Sequence, residues 1–264
     1  MAEGVSIVVP TFNRAALLPR AIDSALAQTV ACEVVVVDHG STDATPEVAA
    51  GYGDRIQYVR RDRDFGPHYC WLDGIMHSSG EFVHLQYDDD WIQPTFIEAC
   101  LSVMTPDTGF AFSVAQIHEV LEDGAGKDGP RMFEDWMPAT GTYPRKALEK
   151  KILRTIISPG ACVFRRHTLI DAIYQGRLPL PKAHYHGVGP DVYASLLSML
   201  RYPKIGFVAE PLAVFLAHEG SITVGAAEDE AKALAMKNAY KEVKQFYHEL
   251  KMIKRWRALK GVFG

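Results

Sequence analysis

Three consecutive aspartates, Asp88, Asp89 and Asp90, form the most conspicuous group of chemically active side chains in the sequence. Adjacent carboxylates repel one another, and oxygen ligands of this kind suit Mg²⁺ or Mn²⁺, with substrate phosphates completing the coordination. The group directly follows the apolar run EFVHLQY (81–87), and Asp38 ends the earlier apolar run EVVVVD. The alternative is a solvated acidic turn in which Asp90 caps a following helix. Because both acidic positions follow strand-like runs, a metal site is favoured.

The elements that position these aspartates alternate between strand and helix patterns. The predicted strands are 5–9, 33–38, 55–61 and 81–87, and the predicted helices lie within 14–28, 42–53 and 66–80. This repetition predicts βαβ units and a mostly parallel, twisted sheet flanked by helices. Ligands of such sheets bind at the carboxyl ends of the strands, so Thr11 and Asn13 are expected beside Asp38 and the aspartates.

The rhythm changes after about residue 105. The segment 122–145 is rich in Gly and Pro, and its length predicts an irregular, functional lid. Strands are predicted at 109–120, 161–164 and 205–218, and helices at 191–200 and 228–259. The last helix begins acidic and ends basic, which suits the helix macrodipole.

Composition excludes several classes of protein. The 264 residues fit one large domain with an ordinary 48% hydrophobic and 23% charged content. A net charge of −4 provides no broad cationic field, so no nucleic-acid partner is expected. The start of the sequence has neither signal-peptide nor membrane-span character, and the four cysteines form no CxxC pair. These features predict a reduced, cytoplasmic chain without a disulfide framework or zinc site.

Three strings together resemble family 2 glycosyltransferases of the GT-A fold: VSIVVPTFNRAALLPRAIDSALAQT, EVVVVDHGSTDAT and SSGEFVHLQYDDDWIQP. The resemblance is carried by 4–104 and continues, in family order, through 158–169, 189–200 and 209–223. It implies a GT-A domain at 1–225, with a Rossmann-like nucleotide-sugar-binding half (1–105) and an acceptor-binding half (106–225). A C-terminal helical extension (226–264) would follow.

The resemblance also implies a chemistry, namely transfer of a sugar from a nucleotide-diphosphate donor (UDP, GDP or dTDP type), with a Mn²⁺ or Mg²⁺ cofactor and inversion at the anomeric carbon. Carried over by position, the nucleotide-sugar-binding residues are Pro10, Thr11, Asn13, Asp38, Asp88 and Asp89, with Asp38 accepting a hydrogen bond from the base. The metal-binding residues are Asp89, Asp90 and His218. A loop histidine with no ligand is the alternative for His218.

The register of the acidic motif is open. The usual family string is D-x-D-D-W-x-x-P, and aligning it on Trp91 and Pro94 puts Tyr87 at the first Asp position. Asp89 is then the chief metal ligand, whereas a literal D-x-D uses the aspartates on either side of it. The sequence also departs from the family at His39, where Asp or Asn is common, and at Trp71-Leu72, where many members have Arg-Asn.

Inverting transfer needs a general base beside the acceptor hydroxyl. Asp191, in GVGPDVYASLL, matches the family position of this base, and its alternative role is to cap the helix 192–200. His184 and His186 are expected on a loop near it. Arg165-Arg166 either pair with phosphate or are solvated charges at a helix start.

The tail KMIKRWRALKGVFG (251–264) interleaves basic and apolar residues. A basic amphipathic helix can lie on an anionic membrane, where lipid-linked acceptors are found, so peripheral attachment to the inner face is one expectation. The alternative is that its apolar side packs onto the core or onto a second subunit in a homodimer.

The function predicted from these features is inverting glycosyl transfer to a glycan, polysaccharide or lipid-linked saccharide. A nucleotidyltransferase of similar layout is an alternative, although PTFNRAALLPR lacks the Gly-rich basic signature of such enzymes. A non-catalytic sugar-nucleotide or glycan-binding protein is another, against which the aspartates and Asp191 argue.

Overall fold

The computed structural model describes residues 4–120, 125–175, 190–218 and 229–261. Its strands are β1 (Val5–Thr11), β2 (Cys32–Asp38), β3 (Gln57–Arg60), β4 (Phe82–Leu85), β5 (Trp91–Ile92), β6 (Thr108–Val120), β7 (Gly126–Met132), β8 (Gly141–Pro144), β9 (Cys162–Arg165) and β10 (Lys204–Ala217). Its helices are α1 (Leu18–Leu26), α2 (Thr45–Ala50), α3 (Pro67–His77), α4 (Phe96–Ser102), α5 (Arg145–Thr155), α6 (Arg166–Gln175), α7 (Pro190–Arg201) and α8 (Glu230–Leu259). Short 3₁₀ turns occur at Gly53–Arg55 and Pro159–Ala161.

The first half is the predicted set of βαβ units. Strands β3, β2, β1 and β4 lie side by side in that order, and all three pairings are parallel. Every residue of β1 is buried, which explains why its sequence is an apolar run rather than an alternating one. Helix α3 approaches this sheet closely at Gly74, where an added Cβ would lie 2.3 Å from Val8 Cγ1. The parallel strand–helix arrangement predicted from the sequence is confirmed here.

The second half continues the same sheet in mixed directions. Strand β9 pairs antiparallel with both β4 and β6, and β10 pairs parallel with β6. Rings from three of these strands fill the core, with Phe110 stacked on Phe164 at 5.4 Å and Phe112 edge-on to Phe207 at 5.3 Å. The result is a curled α/β sheet flanked by helices, which is the GT-A type of architecture.

The prediction that 122–145 is irregular is wrong at Gly126–Met132 and Gly141–Pro144, which are strands, and its role as a functional lid stays a prediction. Strand β7 forms an antiparallel hairpin with β6, and β8 pairs antiparallel with β10. Both strands are at sheet margins, where Gly and Pro are tolerated. Strand β7 is mostly exposed and β8 is mostly half-buried, so no apolar pattern marks either of them. The capping role considered for Asp90 is also wrong, because β5 follows it and α4 begins only at Phe96.

Helix α8 is the long C-terminal helix expected from the sequence, and it packs along α7. The rings of Tyr193 and Phe246 meet perpendicularly at 5.7 Å, and Tyr247 donates a hydrogen bond of 2.6 Å to Glu149 on α5. Lys254 donates to the carbonyl of Leu200 at the end of α7. In the described part of the chain, no helix is long and apolar enough to cross a membrane. The division at residues 105 and 225 stays a prediction.

Candidate active site

Asp38 is buried at the end of β2 and organises the turn that follows. Its Oδ1 accepts hydrogen bonds from the amides of Gly40 (3.0 Å) and Ser41 (2.7 Å), and Tyr58 donates its hydroxyl to Oδ2 at 2.6 Å. Burial and this hydrogen bond raise the pKa of Tyr58. Asp38 has no exposed surface, and these three hydrogen bonds show that it holds the turn after β2. Its hydrogen bond to a base stays a prediction.

Asn13 ties the loop after β1 to the loop after β2. The side-chain oxygen of Asn13 accepts a hydrogen bond from the backbone amide of Thr42 at 2.8 Å, and the backbone amide of Asn13 donates to Ser41 Oγ at 2.9 Å. Its φ of 54° is left-handed, a conformation that Asn tolerates better than most residues. Pro10 and Thr11, the last residues of β1, are buried beneath this junction. The predicted nucleoside residues are therefore brought together.

Exposed aromatic rings occur at the same edge. Phe12 is 41% exposed beside His39, and Phe65 and Tyr69 meet edge-on at 6.3 Å. His39 Nδ1 lies 2.9 Å from Asp64 Oδ1, yet burial outweighs this partner and lowers the pKa of His39. The departure at His39 thus places a neutral imidazole at pH 7 where the family often has a carboxylate or amide.

The three aspartates after β4 have three different partners. Asp88 Oδ1 lies 4.0 Å from Arg14 Nε, and Asp89 Oδ2 lies 3.2 Å from His218 Nε2. Asp90 Oδ1 instead accepts the amide of Leu216 at 2.9 Å, which fastens this loop to the end of β10. The structure therefore pairs Asp89 with His218 and turns Asp90 toward the backbone.

The electrostatics of this group are unfavourable without a cation. Burial, followed by the neighbouring charge of Asp89, raises the pKa of Asp88 to about 7. The same two causes, in the same order, raise the pKa of Asp90 well above its ordinary value. Ionising all the carboxylates therefore costs free energy, which a bound divalent cation would recover.

The donor set fits such a cation only in part. Among the described residues, no three His, Cys, Asp or Glu side chains are grouped as a complete metal site. Asp89 and His218 nevertheless present an oxygen and a nitrogen to one point. Mg²⁺ in phosphate-transfer sites is commonly held by one or two carboxylates, with substrate phosphates and water supplying the rest. The pair fits a cation that binds together with a diphosphate.

Asp191 is half-buried in the first turn of α7, where its Oδ1 accepts the amide of Val192 at 2.8 Å. Burial and then the charge of Asp191, with smaller contributions from Tyr240 and Asp90, raise the pKa of Tyr87, so its hydroxyl is within electrostatic reach of both carboxylates. Burial and then Asp191 also raise the pKa of Tyr240, on α8. Helix α8 therefore contributes to the surroundings of Asp191, a contact that no local sequence signal indicated.

The wall beside Tyr87 is built around Gly160. An added Cβ there would lie 3.2 Å from Phe215 Cε1 and 3.5 Å from the Tyr87 ring. Ser158 caps the short 3₁₀ turn by accepting the amide of Gly160 at 3.3 Å. Gly160 therefore packs closely against the Tyr87 ring and against Phe215 of strand β10.

Two further residues near the aspartates were missed by the sequence reasoning. The guanidinium of Arg20 lies 4.0 Å over the Trp91 ring and donates to the carbonyl of Asp89 at 2.9 Å. The ring of His118 meets Trp91 at 5.3 Å, and its Nδ1 lies 3.0 Å from Asp128. Trp91 is therefore held from two sides, by α1 and by the β6–β7 hairpin.

Phosphate pairing by Arg165 and Arg166 is wrong. Arg165 donates to the carbonyls of Thr108 (3.0 Å) and Thr105 (2.9 Å), and Arg166 donates to Ile75 at 3.1 Å. Both are structural cations rather than phosphate ligands or solvated charges. The predicted positions of His184 and His186 lie outside the described residues.

A parallel first half and a mixed second half, meeting at a carboxylate–imidazole pair, define a GT-A type glycosyltransferase fold. Residues 6–171 match the family described as Glycosyl transferase family 2. The chain belongs to that family, so the resemblance seen in the sequence is confirmed.

Individual relatives agree with this assignment. Succinoglycan biosynthesis protein ExoO of Rhizobium meliloti is 41% identical over 133 residues, which is 50% of this chain and 37% of ExoO. S. aureus TarS, solved with UDP-GlcNAc, superposes with a TM-score of 0.64 at 19% identity, covering 83% of this chain and 60% of that one. Mannosyltransferase PcManGT of Pyrobaculum calidifontis, solved with GDP-Man and Mn²⁺, gives 0.52 at 17% identity, covering 97% and 80%. The two structures show a shared fold. The chain spans well under two thirds of ExoO.

Proposed function

We propose that this protein transfers a sugar, with inversion, from a nucleotide-diphosphate sugar to a hydroxyl group of a glycan or lipid-linked saccharide. The observation that carries the proposal is the approach of His218 Nε2 to within 3.2 Å of Asp89 Oδ2 at the carboxyl ends of two strands. The nucleotide sugars bound to TarS and PcManGT support this donor class. The name of ExoO supports a role in polysaccharide biosynthesis.

In this proposal, Pro10, Thr11 and Asn13 line the nucleoside pocket through the joined loops after β1 and β2. Asp38 acts indirectly, because it fixes the turn through Gly40 and Ser41. The exposed ring of Phe12 provides an apolar surface on which a base can stack.

Asp89 and His218 would hold Mn²⁺ or Mg²⁺, which supplies positive charge against the departing diphosphate. The Mn²⁺ bound to PcManGT supports this cofactor. Asp88, beside Arg14, would contact the nucleotide sugar. Asp90 would hold the end of β10 in place through its hydrogen bond with Leu216. The family assignment of Asp90 as a metal ligand is therefore replaced here by a positioning role.

Asp191 is the proposed general base. Its Oδ1 is oriented by the amide of Val192, so Oδ2 would accept the proton of the acceptor hydroxyl. The acceptor oxygen forms the new bond to the anomeric carbon as the bond to the diphosphate breaks. Burial and then the charge of Asp191 raise the pKa of Tyr87, in the loop after β4, and of Tyr240, on α8, so both hydroxyls belong to the surroundings of this carboxylate.

The test is turnover of a panel of UDP, GDP and dTDP sugars by the purified chain with Mn²⁺, with Asp89→Asn as the matched control. Release of nucleoside diphosphate that requires both the metal and Asp89 is the expected result. Incubation with a nucleoside triphosphate and a sugar 1-phosphate distinguishes the alternative enzyme class. Pyrophosphate release in that second assay, without nucleoside diphosphate release in the first, would establish a nucleotidyltransferase instead.

A further inference from the structure

The last turns of α8 carry an apolar stripe that faces away from the protein. Met252, Trp256 and Leu259 recur at helical spacing on one face, and they are 71%, 55% and 87% exposed. Ile253, beside them, is 48% exposed. Single exposed apolar residues are ordinary, but four on one short stretch of helix mark an interaction surface.

The opposite face of α8 is the one that binds the body. Val243 and Tyr247 are buried, and Lys251 and Lys254 reach Glu149 and the carbonyl of Leu200. These positions lie roughly half a turn around the helix from the stripe. The alternative in which the apolar side of the tail packs on the core is therefore wrong for the described residues.

Positive charge surrounds the stripe. Arg255 and Lys260 lie on either side of it, Arg257 is close by, and no Asp or Glu occurs after Glu249. The neighbouring cleft between α5 and α8 has a volume of about 390 Å³, and its lining adds Lys146, Lys150, Arg154 and His248. The one carboxylate in that lining, Glu149, is already paired with Lys251. The three basic residues of α5 recur every four positions, so they form one row beside α8.

We propose that this end of α8, with the basic row of α5, docks on an anionic lipid surface. An apolar stripe flanked by basic residues matches the acyl boundary and the headgroups of such a membrane. A second copy of the chain is a poorer occupant, because pairing two stripes would bring like charges together with no acidic residue after Glu249 to compensate.

Co-sedimentation of the full chain with vesicles tests the proposal without any sugar donor. We expect binding to vesicles of phosphatidylcholine mixed with phosphatidylglycerol, weakening at high salt, and none to phosphatidylcholine alone. The double variant W256S/L259S should lose binding. Leu234→Ser is the matched control, because Leu234 is 58% exposed on the same helix but lies outside the stripe.

Charge removal gives a graded readout. Arg255→Gln and Lys260→Gln should each weaken binding to the anionic vesicles by about five-fold. Far-UV circular dichroism of each variant should match the wild type, since the altered side chains are exposed. Failure of the wild-type chain to bind anionic vesicles would overturn the proposal, as would equal loss of binding in Leu234→Ser. If the wild-type chain is a dimer in gel filtration, W256S/L259S is a monomer and no vesicle binding occurs, a second copy of the chain is the occupant.

Discussion

At the scale of single residues, Asp89 and Asp90 are adjacent in sequence yet differ in partner. One carboxylate meets an imidazole 129 positions away, and the other accepts a backbone amide. We predict that Asp89→Asn lowers Mn²⁺-dependent nucleotide binding by about a hundred-fold or more, because it removes a metal ligand. Calorimetric titration with and without Mn²⁺ provides the measurement.

Asp90→Asn is the matched control, since an amide oxygen can still accept the Leu216 N–H. It should retain most of the metal-dependent binding. The reverse ranking of the two variants would show that the literal D-x-D register is the right one and that Asp90 binds the metal.

Asp191 gives the second residue-scale prediction. Asp191→Asn should reduce kcat by about 10²–10⁴-fold while leaving nucleotide affinity nearly unchanged, because the amide cannot take a proton. Asp191 lies inside the first turn of α7, where a carboxylate stabilises the helix by about 0.3–1 kcal/mol, so a purely structural Asp191 would leave Asp191→Asn and Asp191→Ala active and only slightly less stable. Steady-state kinetics and thermal unfolding of both variants separate these two outcomes.

At the scale of elements, the ends of β2 and β3 cooperate in shaping the turn after β2. Tyr58→Phe removes a donor from buried Asp38, which should cost about 1–3 kcal/mol of unfolding free energy. Because the turn lies at the proposed nucleoside pocket, the donor KM should rise with little change in kcat.

Tyr52→Phe is the control for that variant. Tyr52 also donates its hydroxyl to a carboxylate, Asp23 at 3.0 Å, but at an exposed position. Its loss should leave KM unchanged. If Tyr58→Phe also leaves KM unchanged while reducing stability, the turn is structural only and does not act on the donor.

The elements that the sequence predicted well are those whose signal is local. Strands β1 and β2 are short apolar runs, and α8 has a continuous helical pattern, so each could be assigned from its own residues. Strand β7 (Gly126–Met132) could not, because pairing with β6 stabilises it and its own side chains are mostly exposed. Helix α5 was missed, because only two of its positions, Leu148 and Ile152, are buried.

The residues of the candidate site likewise include some that the sequence predicted and some that it did not. The aspartates and Asp38 were found because they end apolar strands. The contribution of Tyr240 was invisible, since it depends on how α8 packs against α7, and the engagement of Asp38 by Tyr58 depends on the β2–β3 pairing. Tertiary packing decides which of several plausible polar residues face a ligand.

At the scale of the whole molecule, the raised pKa of Asp88 couples stability to pH and to metal. The folded state holds a proton that the unfolded state releases at lower pH, so Asp88 destabilises the fold progressively from about pH 4 to about pH 7. We predict that Asp88→Asn gains stability relative to the wild type between about pH 5 and pH 8 in the absence of divalent metal.

Added Mn²⁺ should abolish or reverse this gain at the higher pH, because the cation stabilises the ionised wild-type group. Burial lowers the pKa of His84 to about 4, which makes the fold less stable as the pH falls, but this contribution is common to both proteins and cancels. The measurement is thermal unfolding of the wild type and Asp88→Asn at about pH 5 and about pH 8, with and without Mn²⁺. A difference in stability that does not vary with pH would contradict the assignment.

The antiparallel placement of β9 against β4 has a consequence during synthesis of the chain. His84 Nδ1 donates to the carbonyl of Cys162, 78 positions later. At ribosomal rates of about 5–20 residues per second, roughly 4–16 seconds pass between the synthesis of β4 and that of β9. During this time β4 can pair with β1 on one edge, but its other edge has no partner strand. An unpaired edge is a template for association with other chains. We expect chaperones to capture stalled nascent chains that end between β4 and β9 more strongly than chains stalled after β9, which cross-linking on the ribosome would reveal.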